Sequence, residues 1–547
     1  MKLHKGPVVA SKAMVVSNHP MATATGAQAL AAGGNAVDAA VAMLFSLSVV
    51  EPMMVSPFGA GFFVIRDGRT GAVTTIDDYG TVPAAAPSDL FRPLAGSLDY
   101  ETEDGANDVG YLAIATPGAL LGWAHAVQRH GRMPLDRLLR PAIEQATEGF
   151  AASPFLLRFI RETAADIARF PATAEVFLPG GRPPEPGQLI VRADYARTLA
   201  QIADEGPDAL YRGSLGERIV DDVQRNGGLL TMDDLSGYRV HERPPVLGTY
   251  RDHVLLSVAP PSSGGTHLVQ VLNLLEGFPI GRGRLAFGSA EYVHLFTEAL
   301  RVAFEDRFRH MADPAGASVP VAMLTSKSYA LECRRRLDLA AAGPDLVAPG
   351  SRPLAEEVET THCTAVDEEG TIVSTTQTVQ SAFGSKVTVP GTGMLLNNLM
   401  LLMDPTPGRP NSIAGGKRIL SSMTPALVLR DGQPFLALGT PGGRRIFGSV
   451  AQAVLNVIDH GMSLQAAFEA PRAWTQGAGV EIEDRFDDVH GLRAALERMG
   501  HRVDVVERSG GGINGVLVDA EGRLHGAACW RADGVPVGLG GGPAAQP

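Results

Sequence analysis

The chain has 547 residues, of which 45% are hydrophobic, and its formal net charge is -12. This hydrophobic content is sufficient for a large core and argues against disorder throughout the chain. Nucleic acids and anionic membranes are bound by concentrated positive charge, so the acidic balance argues against both as partners. A small soluble substrate is the better expectation.

Three cysteines, Cys333, Cys363 and Cys529, are too few and too scattered for a disulfide framework. The first residues are basic but lack the continuous apolar segment of a secretory signal. The most apolar run, 36–49, is shorter than a membrane span and contains Asp38. We therefore predict a buried helix at 36–49, no transmembrane segment and a cytoplasmic protein.

The predicted elements up to about residue 337 mix helices and strands. Helical periodicity occurs at 118–130, 134–148, 194–203, 215–224 and 290–310, and strand-like runs occur at 62–65, 73–76 and 254–258. Residues 340–359 are rich in Ala, Gly, Pro and acidic side chains, which predicts an exposed flexible linker.

The part after the linker begins with a predicted β-hairpin, 361–366 and 372–379 around a turn at 368–370. A second hairpin is predicted at 426–429 and 435–438. Helices are predicted at 446–458, 464–470 and 492–499, strands at 503–506 and 515–518, and a frayed tail at 538–543. Strands and helices on both sides of the linker indicate a layered α+β fold.

The pair Thr360-Thr361 lies where the linker meets the first of these later strands. Threonine becomes a competent nucleophile when a base lies beside its hydroxyl, and a free α-amino group on the same residue can be that base. Such an amine has a pKa of about 7.7–8.0, close to working pH. A threonine exposed by cleavage after the linker would meet this requirement, although a Thr-Thr pair alone is also typical of an ordinary strand start.

Collinear motifs along the chain give this pair a more specific context. They include Gly33-Gly34-Asn35-Ala36-Val37-Asp38, Val50-Glu51-Pro52, Thr116-Pro117-Gly118, Pro261-Ser262-Ser263-Gly264-Gly265, Thr360-Thr361-His362, Thr376-Gln377-Thr378, Leu395-Leu396-Asn397-Asn398, Ser421-Ser422-Met423-Thr424-Pro425 and Gly439-Thr440-Pro441-Gly442-Gly443. In this order they resemble the γ-glutamyltranspeptidase family, over nearly the whole chain.

The resemblance implies an α+β fold, the four-layer αββα sandwich of N-terminal-nucleophile hydrolases, made as one precursor that cleaves itself. Carried onto this sequence, the cut falls between Glu359 and Thr360 and gives a large subunit, 1–359, and a small catalytic subunit, 360–547. The Thr360 hydroxyl would attack the Glu359 carbonyl first and substrate amides afterwards, giving an acyl-enzyme. A dimer of such heterodimers is possible.

The resemblance also implies roles for other residues. Thr378 matches the residue whose hydroxyl contacts the amino group of the nucleophile, Gly442-Gly443 matches the oxyanion hole, and Ser421-Ser422 matches a pair that binds the substrate carboxylate. Glycine lets backbone N–H groups approach a developing oxyanion. Without the family context, the same residues would be a plain strand threonine, a helix-capping turn and turn serines.

Three positions depart from the family pattern. Typical members bind the γ-glutamyl zwitterion with an Arg, an Asn and an Asp, where this sequence has Tyr79, Gln380 and Leu402. Each charge-assisted hydrogen bond contributes about 1.5–3 kcal/mol. Losing both the Arg and the Asp would therefore weaken substrate binding on the order of 10²–10⁴-fold. We therefore expect weak or no activity on glutathione and a different acyl group, as in cephalosporin acylases that remove glutaryl-type side chains or in an oxamate amidohydrolase.

Two cations and a short loop are further departures. Lys386 and Arg444 stand where small residues are commoner in the family, and one of them could hold a substrate carboxylate, with a solvated surface charge as the alternative. The stretch 404–416 is shorter than in members with a lid loop, which predicts an open site.

Cofactor binding finds little support in the sequence. Residues 510–515 resemble a dinucleotide fingerprint but precede a strand pattern, and His362-Cys363 has no second pair at zinc-like spacing, so we predict neither cofactor nor metal. Two alternatives to the acylase stay open. One is a genuine γ-glutamyltransferase or glutathione hydrolase that holds its substrate differently, and the other is a catalytically silent homologue that only binds a ligand.

Overall fold

The computed structural model describes residues 6–97, 100–346 and 358–540. Within these ranges the strands are β1 Val8–Ala10, β2 Ala13–Ser17, β3 Ala60–Arg66, β4 Val73–Asp77, β5 Phe150–Ala151, β6 Leu189–Ile190, β7 His241–Arg243, β8 Val246–Tyr250, β9 His253–Ser257, β10 Val358–Val366, β11 Ile372–Ser381, β12 Ala426–Arg430, β13 Gln433–Gly439, β14 Ala473–Trp474, β15 Val480–Glu483, β16 Val503–Val506, β17 Asn514–Val518, β18 Leu524–Ala528 and β19 Val535–Leu539.

The α-helices of the same ranges are α1 Pro20–Ala31, α2 Ala36–Val50, α3 Ala119–His130, α4 Leu135–Glu148, α5 Pro154–Glu162, α6 Ala164–Ile167, α7 Pro171–Phe177, α8 Ala193–Glu205, α9 Asp208–Tyr211, α10 Ser214–Arg225, α11 Met232–Gly237, α12 Gly264–Leu275, α13 Ala290–His310, α14 Val321–Leu324, α15 Lys327–Arg334, α16 Ile446–Ile458, α17 Leu464–Glu469 and α18 Val489–Arg498. No helix in the described part of the chain is long and apolar enough to span a bilayer.

Two seven-stranded antiparallel sheets form the centre of the molecule. We call the one with order β19-β2-β10-β11-β3-β4-β7 the nucleophile sheet, because it contains Thr360, and the one with order β1-β18-β17-β13-β12-β9-β8 the second sheet. The sheets stack face to face, and two hydrogen bonds cross between them: Ser374 Oγ donates to the Leu438 carbonyl at 3.0 Å, and Asn514 Nδ2 donates to the His362 carbonyl at 2.7 Å.

Helices cover both outer faces. Helices α1 and α2 lie against β2, β10 and β11 of the nucleophile sheet, while α12, α16 and α17 lie against the second sheet. The sequence of β3 is a continuous apolar run because both faces of the strand are buried. Phe62 and Val64 face the core between the sheets, and Phe63 and Ile65 face the core under α2. The result is the expected α+β fold in four layers, αββα.

The predicted buried helix at 36–49 is confirmed as α2, in which every side chain is buried. Its N-terminus carries a capping box: the Asn35 side chain accepts hydrogen bonds from the backbone N–H groups of Val37 and Asp38, and the Asp38 carboxylate accepts one from the Asn35 N–H. The acidic residue inside the apolar run therefore marks the beginning of the helix.

Two predictions near chain boundaries need correction. Gly538 and Leu539, assigned to a frayed tail, belong to β19 and pair with Met14 and Ala13 of β2, because β2 would otherwise leave an open sheet edge. Val358 and Glu359, assigned to the linker, begin β10. Linker residues 347–357 and tail residues 541–543 lie outside the described residues.

Candidate active site

Thr360 lies at an irregularity in the pairing of β10 with β11. Glu359 pairs with Gln380, but Thr361 pairs with Gln377, so two steps along β10 correspond to three along β11. Gln380 has a φ of 92°, a left-handed backbone conformation that side chains other than glycine rarely adopt. The shift in register places Thr360 opposite Thr378 and bends β11 away from the regular ladder.

The hydroxyl of Thr378 joins the two groups that the predicted cleavage would bring together. Thr360 Oγ1 donates to Thr378 Oγ1 at 3.3 Å, and Thr378 Oγ1 donates to the carbonyl oxygen of Glu359 at 2.5 Å. The backbone N–H of Gln380 donates to the same Thr378 oxygen at 2.8 Å. In this uncleaved chain Thr360 has no free amine, and Thr378 polarises the carbonyl that Thr360 would attack.

The Glu359 side chain is fixed by a buried cation. Arg508 Nη2 lies 3.8 Å from Glu359 Oε1, and the two side chains are only 7% and 5% exposed. The Arg508 guanidinium also lies 5.9 Å from the ring centroids of Phe155 and Phe159. Charge and ring contacts together hold the residue before the predicted cut in one orientation.

A buried carboxyl lies behind the nucleophile strand. Glu51, at the C-terminal end of α2, accepts a hydrogen bond from Thr361 Oγ1 at 2.8 Å. Burial raises the pKa of Glu51 to about 8, the hydrogen bond from Thr361 opposes this, and the charge of Asp533 adds to it. Glu51 therefore holds a proton at neutral pH.

The predicted oxyanion glycines form a tight turn before α16. Gly442 has a φ of 129° and Gly443 begins the 3₁₀ helix Gly443–Arg445, which lies against β10. A Cβ on Gly442 would come within 2.9 Å of the Gly510 Cα, and the Gly511 N–H donates to the Pro441 carbonyl at 3.1 Å. Residues 510–512 thus pack against this turn and lead into β17.

Tyr79 lies two residues after the end of β4, a strand of the nucleophile sheet. It is buried and stacks on Phe62 with 5.1 Å between ring centroids, and its hydroxyl interacts with the Ser421 side chain. Arg418 Nη1 donates both to Asp77 Oδ1 at 2.9 Å and to the Tyr79 carbonyl at 2.8 Å, which fixes this turn. A neutral phenol therefore occupies the position where the family pattern has an arginine.

The remaining predicted binding residues are also buried. Leu402 is the last residue of the 3₁₀ helix Leu399–Leu402. The Leu399 side chain at the start of this helix packs directly on Gly80, next to Tyr79, and leaves no room for a Cβ there. Within the described residues, Ser422 Oγ and Gln380 Nε2 are buried without a hydrogen-bond partner. Both atoms can therefore hydrogen-bond to a water molecule or a ligand.

The structure distinguishes the two unusual cations. Lys386 is completely buried, and its Nζ lies 3.9 Å from Asp108 Oδ1, which also accepts hydrogen bonds from Ser381 Oγ and Asn398 Nδ2. Arg444 lies over the ring of Tyr100, 5.2 Å from its centroid, directly after the glycine turn. Neither is a solvated surface charge, and Arg444 is the one beside the glycine turn.

No role was predicted from sequence for Glu51, for Arg307, whose Nε donates at 3.1 Å to Ser263 Oγ beside the Ser421 carbonyl, or for Arg508. They come from the end of α2, from α13 and from the loop before β17, far from Thr360 along the chain. No local pattern marks Arg307 or Arg508, and Glu51 stood out only within the motif Val50-Glu51-Pro52.

A layered αββα sandwich with a threonine near the start of a central strand defines the class: this is an N-terminal-nucleophile amide hydrolase. The family model of gamma-glutamyltranspeptidase matches residues 22–539. The chain therefore belongs to the γ-glutamyltranspeptidase family, as its motifs predicted.

Similar proteins include an acylase proenzyme and a glutathione hydrolase proenzyme. The chain is 47% identical to the Acylase ACY 1 proenzyme of Pseudomonas sp. (strain SE83) over 542 residues, which cover 98% of this chain and 95% of the relative. It is 36% identical to the glutathione hydrolase proenzyme of Escherichia coli (strain K12), over 95% and 91% of the two chains. These relatives are proenzymes, and this chain is likewise a precursor of a large and a small subunit.

Among solved structures, cephalosporin acylase from Bacillus halodurans superposes with a TM-score of 0.88 at 28% sequence identity. The superposition covers 99% of this chain and 98% of the acylase chain. The fold prediction is therefore confirmed over the whole length.

Replacing Thr378 by valine tests the contact with the Glu359 carbonyl. Loss of a single donor to a developing oxyanion costs about 10²–10³ in rate, so cleavage of the purified precursor should slow by about that factor. Gel electrophoresis over time measures it. Thr378→Ser keeps the hydroxyl and should cleave at close to the normal rate; equal rates for the valine and serine variants would contradict this role.

Glu51 gives a pH prediction for the uncleaved Thr360→Ala chain. The folded pKa of Glu51, about 8, exceeds its ordinary value of 4.5. The contribution of Glu51 to the stability of the fold is therefore highest below pH 4.5, where Glu51 is protonated in both the folded and the unfolded chain, and this contribution is lost as the pH rises through 8. Stability should fall relative to Thr360→Ala/Glu51→Gln by up to about 1.4 kcal/mol per pH unit in that window. Thermal unfolding between pH 5 and 8 measures it, and parallel curves for the two chains would count against a protonated Glu51.

Proposed function

We propose that the enzyme is an acylase that hydrolyses small-molecule amides whose acyl group lacks the α-amino group of γ-glutamyl. The observation that carries this proposal is Leu402, a buried aliphatic side chain where the family pattern has the aspartate that pairs with the substrate ammonium. Burying an ammonium against leucine removes its hydration without supplying a partner. The 47% identity to Acylase ACY 1, against 36% to the glutathione hydrolase, supports the same substrate choice.

Thr360 is proposed as the nucleophile both in self-cleavage of the precursor and in substrate hydrolysis by the mature enzyme. In the precursor its hydroxyl attacks the Glu359 carbonyl carbon, the hydroxyl proton passes to the peptide nitrogen, which leaves as the new α-amine, and water hydrolyses the resulting ester. In the mature enzyme that amine takes the hydroxyl proton as Thr360 attacks the substrate carbonyl. The substrate amine then leaves with a proton, and water releases the acid and restores the hydroxyl.

Backbone groups at the glycine turn are proposed to stabilise the oxyanion in the mature enzyme. The turn Gly442-Gly443 lies against β10. Both glycines have a positive φ, which residues with a Cβ rarely adopt, and this conformation sets the direction of their N–H groups. Ser421, Ser422 and Gln380 are proposed to contact the acyl group, because two of them have buried polar atoms without partners among the described residues.

Self-cleavage is tested with variants at Thr360. The purified wild-type protein should give two fragments, Met1 to Glu359 and Thr360 to Pro547, that stay together until denatured. Thr360→Ala should remain one chain, and Thr360→Ser should cleave more slowly because it keeps a hydroxyl nucleophile. Denaturing electrophoresis distinguishes the full-length chain from the two fragments. Full-length wild-type protein without amidase activity would instead favour the silent ligand-binding homologue.

The substrate class is tested with two p-nitroanilides that differ by one amino group. Glutaryl-p-nitroanilide is γ-glutamyl-p-nitroanilide without its α-ammonium, so the pair isolates the effect of Leu402. We expect kcat/KM at least about tenfold higher for the glutaryl compound, since leaving a buried charge unpaired costs about 1–3 kcal/mol or more.

A matched variant makes this comparison sharper. Leu402→Asp should shift the preference toward γ-glutamyl by supplying an anion, while Leu402→Asn, of similar size and uncharged, should not. Preference of the wild-type enzyme for the γ-glutamyl compound would make it a γ-glutamyl hydrolase or transferase and would overturn the proposed substrate. A simple oxamate amide in the same panel separates the oxamate-type alternative.

A further inference from the structure

Unusual backbone conformations are concentrated in the segment that follows Thr378. Of the five non-glycine residues with a positive φ in the described ranges, three lie within seven consecutive positions: Gln380 at 92°, Phe383 at 61° and Lys386 at 64°. Residues with a Cβ rarely adopt this conformation, and they keep it only where their surroundings hold them in it. The segment 380–386 therefore needs contacts that fix its backbone.

The conformation of Gln380 is important for the proposed self-cleavage because its backbone N–H is a partner of Thr378. This N–H donates to Thr378 Oγ1 at 2.8 Å, and the same oxygen donates to the Glu359 carbonyl at 2.5 Å. The two hydrogen bonds orient the Thr378 hydroxyl. A change in φ at Gln380 would turn its N–H away from Thr378 and leave that hydroxyl less well oriented.

Asp108 holds the residue that comes directly after Gln380. Its Oδ1 accepts hydrogen bonds from Ser381 Oγ at 3.0 Å and from Asn398 Nδ2 at 2.6 Å, and its backbone carbonyl accepts a second one from Asn398 Nδ2 at 3.0 Å. Asn398 Oδ1 in turn accepts from the Ser381 N–H at 2.9 Å. The amide and the hydroxyl of Ser381 therefore belong to one network that is anchored on Asp108.

Lys386 supplies a positive charge beside this carboxylate. Its side chain is completely buried, and its Nζ lies 3.9 Å from Asp108 Oδ1. A buried ammonium and a positive φ both cost free energy that a glycine at this position would avoid. The lysine is explained if its charge holds the Asp108 carboxylate in place, because charges attract strongly where water is excluded.

The backbone around both charged residues is fixed as well. The Gly110 N–H donates to the Ser385 carbonyl at 2.9 Å, so the loop that contains Asp108 lies against the turn that contains Lys386. Thr173 Oγ1 donates to the Lys386 carbonyl at 2.7 Å. Asp108 precedes the predicted cut and Lys386 follows it, so this ion pair joins the two subunits.

We propose that Asp108 and Lys386 are positioning residues for self-cleavage. Through Ser381 they hold Gln380 in its left-handed conformation, and this conformation directs the Gln380 N–H at Thr378 Oγ1. The inference rests on the proposed self-cleavage and names residues that make it efficient. They act on the reaction through Thr378, and misplacing a reacting group by about 1 Å slows a reaction on the order of 10²-fold.

Self-cleavage of precursors made by cell-free translation, followed over time by denaturing electrophoresis, tests this role. Asp108→Ala removes both the acceptor and the charge and should slow cleavage by about 10- to 100-fold. Asp108→Asn keeps an acceptor oxygen for Ser381 and Asn398 and should slow it by less than about tenfold. Equal rates for the wild-type and Asp108→Ala precursors would overturn the proposal.

A glycine at position 380 separates positioning from general stability. Glycine adopts a positive φ without strain, so Gln380→Gly should make the contact with Asp108 less important. Asp108→Ala should slow the Gln380→Gly precursor by less than about threefold, compared with about 10- to 100-fold in the wild type. If Asp108→Ala slows both precursors by the same factor, the role through Gln380 is overturned.

A glycine at position 386 tests the ammonium. Lys386→Gly relieves the backbone strain but removes the charge, and it should still slow cleavage by about 3- to 10-fold. Cleavage of this variant at the wild-type rate would show that the Lys386 charge is dispensable and would overturn its part in the proposal.

Arg251→Met is the matched control. Arg251 directly follows the edge strand β8 of the second sheet, and its Nε lies 3.1 Å from Asp459 Oδ1 in a partly buried ion pair. Losing this pair should lower the thermal stability without changing the cleavage rate. Thermal unfolding of every variant is measured in the uncleaved Thr360→Ala chain, which shows whether the variant folds.

A milder variant decides the case if Asp108→Ala does not fold. Ser381→Ala removes only the hydroxyl that donates to Asp108 and should slow cleavage by about 3- to 10-fold. Cleavage of Ser381→Ala at the wild-type rate would overturn the proposal. If the wild-type precursor itself does not cleave, the proposed self-cleavage fails, which is a different result from normal cleavage in the variants.

Discussion

The hydroxyl of Thr378 connects the two groups that the proposed self-cleavage would join in the uncleaved chain. It accepts the Thr360 hydroxyl at 3.3 Å and donates to the Glu359 carbonyl at 2.5 Å. This placement depends on the register shift between β10 and β11, on the left-handed backbone at Gln380 and on the buried contact between Glu359 and Arg508. The two sheets and their helices hold these few atoms in place, so the fold itself is the main source of pre-organisation.

In the proposed acylase, side-chain charge around the acyl group differs from that of a γ-glutamyl enzyme more clearly than the catalytic residues do. A γ-glutamyl group carries a carboxylate and an ammonium, and this chain has a buried tyrosine at position 79 and a buried leucine at position 402, where the family pattern has an arginine and an aspartate. Tyr79 does not replace the charge of that arginine, because burial raises the pKa of its phenol and keeps it neutral.

Much of this architecture was predictable from sequence. The hairpin of β10 and β11, the helices α2, α13 and α16, and the α+β layering followed from apolar periodicity and turn residues, and the family motifs implied Thr360, Thr378 and the glycine turn. The strand β19 was missed because Gly538 and Gly540 resemble a flexible end, and only pairing with β2 reveals it. Glu51, Arg307 and Arg508 reach the site through tertiary contacts between distant segments, which no local pattern records.

The most direct test of the account is to identify the residue that carries the acyl group during turnover. The enzyme would be mixed with glutaryl-p-nitroanilide, quenched in acid within the first turnover, digested and analysed by tandem mass spectrometry. We predict a small-subunit peptide that begins at Thr360, with the glutaryl group as an ester on that threonine. An acyl group on any other residue, or an N-terminus other than Thr360 in active enzyme, would contradict the account.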